Sequence, residues 1–86
     1  YTSFNGFVTG DITAAFYNNS SKTVEVTDFT VYDTRTNKII FQQENCGLAE
    51  KEKPIWYNLK FSGVYKPLFL WHYHHSGKSY TCEYRM

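Results

Sequence analysis

The dipeptide Ser76-Gly77 constrains this chain more than any other feature, because it closes the last twenty residues, Pro67 to Met86, into a β-hairpin. A two-residue loop there sets His75 opposite Lys78. Stepping outward pairs Tyr73 with Tyr80, Trp71 with Cys82, and Phe69 with Tyr84. Side chains alternate with period 2 and directly opposed residues lie on one side, so these residues share a face. The other face collects Leu70 with Glu83, His72 with Thr81, and His74 with Ser79. A slip of one residue would set aromatic side chains against polar ones, so the pattern itself selects the register.

The rest of the chain reads as further short strands. Phe4 to Val8, interrupted by Gly6, suits an edge strand or a bulge, and Gly10-Asp11 is expected to turn. Asp11 to Tyr17 follows with Ile12, Ala14 and Phe16 on one face. Asn18 to Lys22 is a turn cluster with overlapping Asn-x-Ser sequons at Asn18 and Asn19. Thr23 to Tyr32 changes phase: Val24 and Val26 share a face, Phe29 and Val31 are out of phase with them, and a bulge or bend is expected near Thr27-Asp28. Ile39 to Gln42 pairs back as a short strand. Glu44 to Pro54 is expected to be a solvated connection, limited by Pro54 to about one helical turn. Ile55 to Phe61 puts Ile55, Tyr57, Leu59 and Phe61 inward and Trp56, Asn58 and Lys60 outward. Ser62 to Lys66 is expected to turn into the hairpin.

Seven strands with Gly-, Pro-, Asn-, Asp- and Ser-rich connections, no repeat and no linker predict a single all-β domain over residues 1–86, built as a two-sheet sandwich. Aromatic residues make up 20% of the chain, with eight Tyr and seven Phe, and they favour half-buried strands over helices. The expected inner layer includes Phe16, Val31, Leu59, Phe69, Trp71, Tyr73, Tyr80, Cys82 and Tyr84.

Charge excludes more than it suggests. Nine basic and eight acidic residues give a net charge of +1, and the basic ones are scattered, so there is no footprint for nucleic acid. No apolar run reaches the roughly 20 residues of a membrane span. The chain starts at Tyr1 without an initiator Met, as expected of a processed or trimmed piece. Cys46 and Cys82 permit one bridge, worth roughly 3–4 kcal/mol in the chain-entropy model. They equally permit two free thiols, one of them buried beside Trp71. An even cysteine count in a small Tyr-, Asn-, Ser- and Thr-rich chain points to an exported protein: extracellular, periplasmic or on the cell surface.

Two regions resemble a known architecture. The run from Asn18 through Val24-Glu-Val-Thr-Asp-Phe-Thr-Val-Tyr-Asp33 is similar to the B–C region of immunoglobulin-like and fibronectin III-like modules of secreted or surface bacterial proteins. Phe69-Leu-Trp-His-Tyr73, with Gly77-Lys-Ser-Tyr80, resembles their closing F–G hairpin. The resemblance implies a seven-stranded immunoglobulin-like sandwich that acts in interaction or spacing. It departs from antibody domains, where cysteines on strands B and F pack on a Trp of strand C, so that disulfide does not carry over.

Three sets of residues are candidates for chemistry. His72 and His74 project to one face and could share a metal, with Glu83 at a diagonal, but zinc needs further ligands at about 2.0–2.3 Å that the sequence does not name. Trp56, Tyr17 and Tyr32 fall out of phase with the core and could form an outer aromatic platform for a sugar or a protein. Cys82 shares its face with Trp71 while His72 and His74 point away, which works against a nucleophile–base pair. There is no Gly-x-Ser-x-Gly elbow, Cys-x-x-Cys or phosphate loop. The expectation is a non-catalytic module without a cofactor, whose partner is another protein or a surface glycan. A strand edge or the outer aromatics would serve as its binding surface.

Overall fold

A computed structural model describes residues 1–86. Its seven strands are β1 (Thr2–Phe4), β2 (Phe7–Phe16), β3 (Val24–Asp33), β4 (Lys38–Ala49), β5 (Ile55–Tyr65), β6 (Leu68–His75) and β7 (Lys78–Arg85). They form two antiparallel sheets, one ordered β1-β2-β5 and the other β4-β3-β6-β7. The protein is an all-β, two-sheet sandwich.

The β6–β7 hairpin has the register that its pattern predicts, from Phe69 opposite Tyr84 to His75 opposite Lys78. Ser76 and Gly77 both take positive φ, the geometry that matches the right-handed twist of a hairpin. The phase change in β3 is also present. Both of its ladders shift register between Val26 and Asp28, and the shift brings Val24, Val26, Phe29 and Val31 to one buried face.

Four expectations are corrected. The first turn lies at Asn5-Gly6, where both residues have positive φ, and Gly10-Asp11 continues β2. The sequence from Glu44 to Ala49 is the second half of β4, which places Cys46 within a strand. Most of that strand is exposed on both sides, so no periodic signal marks it. Ser62 to Tyr65 continues β5, with Gly63 as the extra residue of a bulge opposite Val8-Thr9. Finally, Phe16, Val31, Leu59, Phe69 and Trp71 are buried as expected, but Tyr80, Cys82 and Tyr84 are exposed. The three-stranded sheet is one strand too narrow to cover β7.

The core is aromatic and centred on Phe29, which is fully buried. Its ring stacks on Trp71 at 4.5 Å between centroids and lies 4.3 Å from Tyr57, with Phe41 and Phe69 around it. Two buried polar side chains hold the ends of the sandwich. Asn18 sits between the end of β2 and the end of β4. At the opposite end, Asp33 accepts hydrogen bonds from the amides of Arg35 and Tyr65, tying the β3–β4 turn to β5. Each buried side chain anchors a largely exposed turn to the sandwich by satisfying backbone groups of other segments.

The cysteines are not bonded. Cys46 lies on β4 and Cys82 on β7, the two opposite edges of the four-stranded sheet. Three strand spacings separate them by roughly 14 Å, twice the reach of a disulfide at about 7 Å.

Candidate functional site: the open edge of β2

β1 pairs with β2 only from Phe7 to Thr9, so the outer edge of β2 from Gly10 to Phe16 has no neighbouring strand. Antiparallel ladders bond alternate residues to alternate sides. The amide of Lys66 donates to the carbonyl of Gly6, so the even-numbered residues of this segment face β5. It follows that Asp11, Thr13 and Ala15 direct their N–H and C=O groups outward. Below this edge lies the uncovered inner face of β7. Between them runs a groove of about 540 Å³ floored by Ile12, Ala14, Phe69, Trp71, Cys82 and Tyr84. Its only charged side chains are Asp11 and Glu83, both acidic. Chemically, the site offers unpaired backbone donors and acceptors beside an apolar trench, with slots at every second residue. Neither the edge nor the trench is visible in the sequence, because both depend on how many strands the other sheet contributes.

The expected binding residues are distributed differently. Trp56 is 64% exposed and sits opposite Ala15 on the outer face of the three-stranded sheet, and Tyr17 is exposed at the same end. Tyr32 lies in the other sheet, beside Leu68 and Ile39, so the three aromatic residues form no common platform.

His72 and His74 share the outer face of the four-stranded sheet, as expected. The partner of His72, however, is Asp28, not Glu83. His72 Nδ1 lies 2.5 Å from Asp28 Oδ1, a hydrogen bond that joins β6 to β3 on this face. Thr27 Oγ1 donates to the carbonyl of His72, securing the bulge to β6. His74 Nδ1 shares a hydrogen bond with Ser79 Oγ. No group of three His, Cys, Asp or Glu side chains is placed to hold a metal ion. The Asp28–His72 pair is partly exposed, and such pairs add little to stability.

The one strongly perturbed ionisable group belongs to the core. Burial pushes the Tyr57 phenol up, and the Cys46 thiol beside it adds to the shift. Tyr57 Oη and Trp71 Nε1 are both buried without a hydrogen-bond partner of good geometry. A phenol that ionises less readily folded than unfolded gives a contribution to stability that is fully present below the unfolded value of 10.0, begins to fall there, and is lost as pH rises on through the higher folded value. Stability is therefore expected to fall above pH 10 by about 1.4 kcal/mol per unit from this group alone. Urea midpoints between pH 9 and 11 test this against Tyr57→Phe, which should lose about 1.4 kcal/mol less than the parent over that whole interval. Near pH 7 the same variant should stay within about 1 kcal/mol of the parent, since it removes an unsatisfied hydroxyl. Equal alkaline slopes in the two proteins would show that Tyr57 is not the responsible group.

Comparison with protein-family models, characterised proteins and solved structures gives no match for this chain.

Proposed function

We propose that this protein is a non-catalytic interaction module that takes an extended segment of a partner protein onto the edge of β2. The observation that carries the proposal is the row of outward N–H and C=O groups at Asp11, Thr13 and Ala15 beside an apolar groove. Open edges are liabilities that proteins usually blunt with Lys, Pro or a covering element, and β2 has none of these from Asp11 to Phe16. Adding a strand would satisfy the backbone groups, while alternate side chains would fill the groove.

The fourth strand lies beside the third, where antibody constant domains set it beside the fifth. That arrangement supports the fibronectin III-like side of the resemblance. Export to the cell surface or periplasm is part of the same proposal and rests on composition alone, since the cysteines no longer argue for it.

An acetylated hexapeptide of alternating Val and Thr ending in Lys serves as the probe. Titrated to saturation, it should slow amide exchange at Asp11, Thr13 and Ala15 by at least about tenfold. Thr13→Pro, which removes one outward donor from an edge strand, should abolish the effect. Unchanged exchange at all three amides would sink the proposal.

A second reading, sugar binding through Trp56, is favoured by one observation. Trp56 is 64% exposed while Trp71 is 5% exposed, so only one indole is open to a ligand. A saturable fluorescence shift with a polysaccharide that vanishes in Trp56→Ala would establish that reading.

A further inference from the structure

We propose that the segment taken up by the β2 edge is β7 of a second copy of this chain, so that two molecules close on each other as a symmetric dimer. This rests on the strand-addition reading above and names its partner.

The groove specifies its occupant. A strand antiparallel to β2 must place apolar side chains opposite Phe16, Ala14 and Ile12, and a basic residue opposite Asp11. Numbered along the occupant, that is apolar at positions one, three and five and basic at six. Tyr80-Thr-Cys-Glu-Tyr-Arg85 fits this pattern. Its Tyr80, Cys82 and Tyr84 form the inward row of β7 that nothing covers in the single chain.

The backbone phase agrees independently. The amide of Met86 donates to the carbonyl of Pro67, so even-numbered residues of β7 bond to β6. The odd-numbered ones, Thr81, Glu83 and Arg85, face the free edge. Pairing Asp11 with Arg85 of the second copy, Thr13 with Glu83 and Ala15 with Thr81 sets outward groups against outward groups on both strands. It also keeps both apolar rows pointing inward. A shift of two residues would oppose Asp11 to Glu83, two like charges.

Symmetry selects the same register. Phe16 packs on Tyr73, which stacks on Tyr80. At the other end Phe61, opposite Gly10, packs near Phe69, which meets Tyr84. Within one molecule β7 therefore runs antiparallel to β2, with Tyr80 level with Phe16 and Tyr84 level with the Gly10 end. A two-fold axis along the strands, midway between the sheets, carries β7 to the edge of β2 at the same height. The same operation brings β2 of the second copy to β7 of the first. Both sheets become continuous across the joint, and an isologous contact of this kind closes. Tyr1, whose backbone lies beside Gly10 and which is 70% exposed, is the residue that must shift.

Sedimentation equilibrium on the full chain, with a charge-swap series, tests the proposal. The parent should show twice the 10.1 kDa chain mass. Arg85→Glu should weaken the dimer at least about tenfold by opposing Asp11, and Asp11→Lys with Arg85→Glu should restore it. Both positions are exposed, so folding is not at stake.

Thr13→Cys with Glu83→Cys, in a Cys46→Ala/Cys82→Ser background, should oxidise to a covalent dimer. Directly opposed residues are about 5.5 Å apart at Cα. Neither single cysteine variant should do so. A monomer throughout the millimolar range, or a dimer indifferent to the charge swap, overturns the proposal. In the monomer case the Val/Thr hexapeptide separates the two ideas. If it still protects Asp11, Thr13 and Ala15, the edge takes a strand from another protein; if it does not, strand addition falls as well.

Discussion

Replacing Phe29 with Ala should lower the folding stability by about 3–5 kcal/mol. For a domain of this length the total is roughly 4–13 kcal/mol, so the variant should be largely unfolded or close to it at 37 °C. The magnitude follows from position. Phe29 is fully buried, and its ring is the one that Trp71, Tyr57, Phe41 and Phe69 all face. Those four rings come from β4, β5 and β6, across both sheets, so no single rotamer change can refill the space. Phe29→Leu keeps much of the volume and should cost less than half as much. Thermal melts should place Phe29→Ala about 15–30 °C below the parent. A loss under 1 kcal/mol would mean that the aromatic cluster is not the organising core.

How much of this was legible in the chain depended on how local the signal was. The β6–β7 hairpin was readable to the residue because its turn and both strands lie within twenty positions. The bulge in β3 was readable because the apolar phase breaks between Val26 and Phe29, whatever lies alongside. The inward set of β5 followed from simple alternation. By contrast, β4 is an edge strand with solvent on most sides, so from Glu44 to Leu48 it carries no alternation to find. The Asp28–His72 contact joins residues forty-four positions apart and exists only because β3 lies beside β6, which period 2 cannot show. Tyr80, Cys82 and Tyr84 were expected inside because they oppose core residues of β6. Their facing is as expected, but burial depends on a strand above them that the three-stranded sheet does not provide. The most informative error thus falls at the candidate site: aromatic side chains patterned for a core and left outside one.

Asn18→Ala should cost about 3 kcal/mol, a large effect for a polar residue in a turn. The side chain is 5% exposed and makes four hydrogen bonds. Its Nδ2 donates to the carbonyls of Lys22 and Ala49, each at 2.8 Å, and its Oδ1 accepts from the amide and hydroxyl of Ser20. Removing the amide takes a donor from the carbonyl of Ala49, which is itself fully buried and pairs with Val24 in the ladder. Each hydrogen bond contributes about 0.5–1.5 kcal/mol net, so losing the set accounts for the expected size. Asn18→Asp should be worse near pH 7, because a carboxylate would face two carbonyl oxygens with no proton to donate. Its folded pKa would lie above the unfolded value, so its stability should recover as pH falls and be lost as pH rises. Urea midpoints of the parent, Ala and Asp variants at pH 4 and pH 7 separate these effects. The Asp variant should be less stable than Ala at pH 7 and approach it at pH 4. The same geometry bears on the two sequons. The amide nitrogen of Asn18 points into the sandwich, so of the overlapping pair only the exposed Asn19 can accept a glycan from the folded side. A parent-like stability for Asn18→Ala would show that the crossing between β2 and β3 is held by its backbone alone.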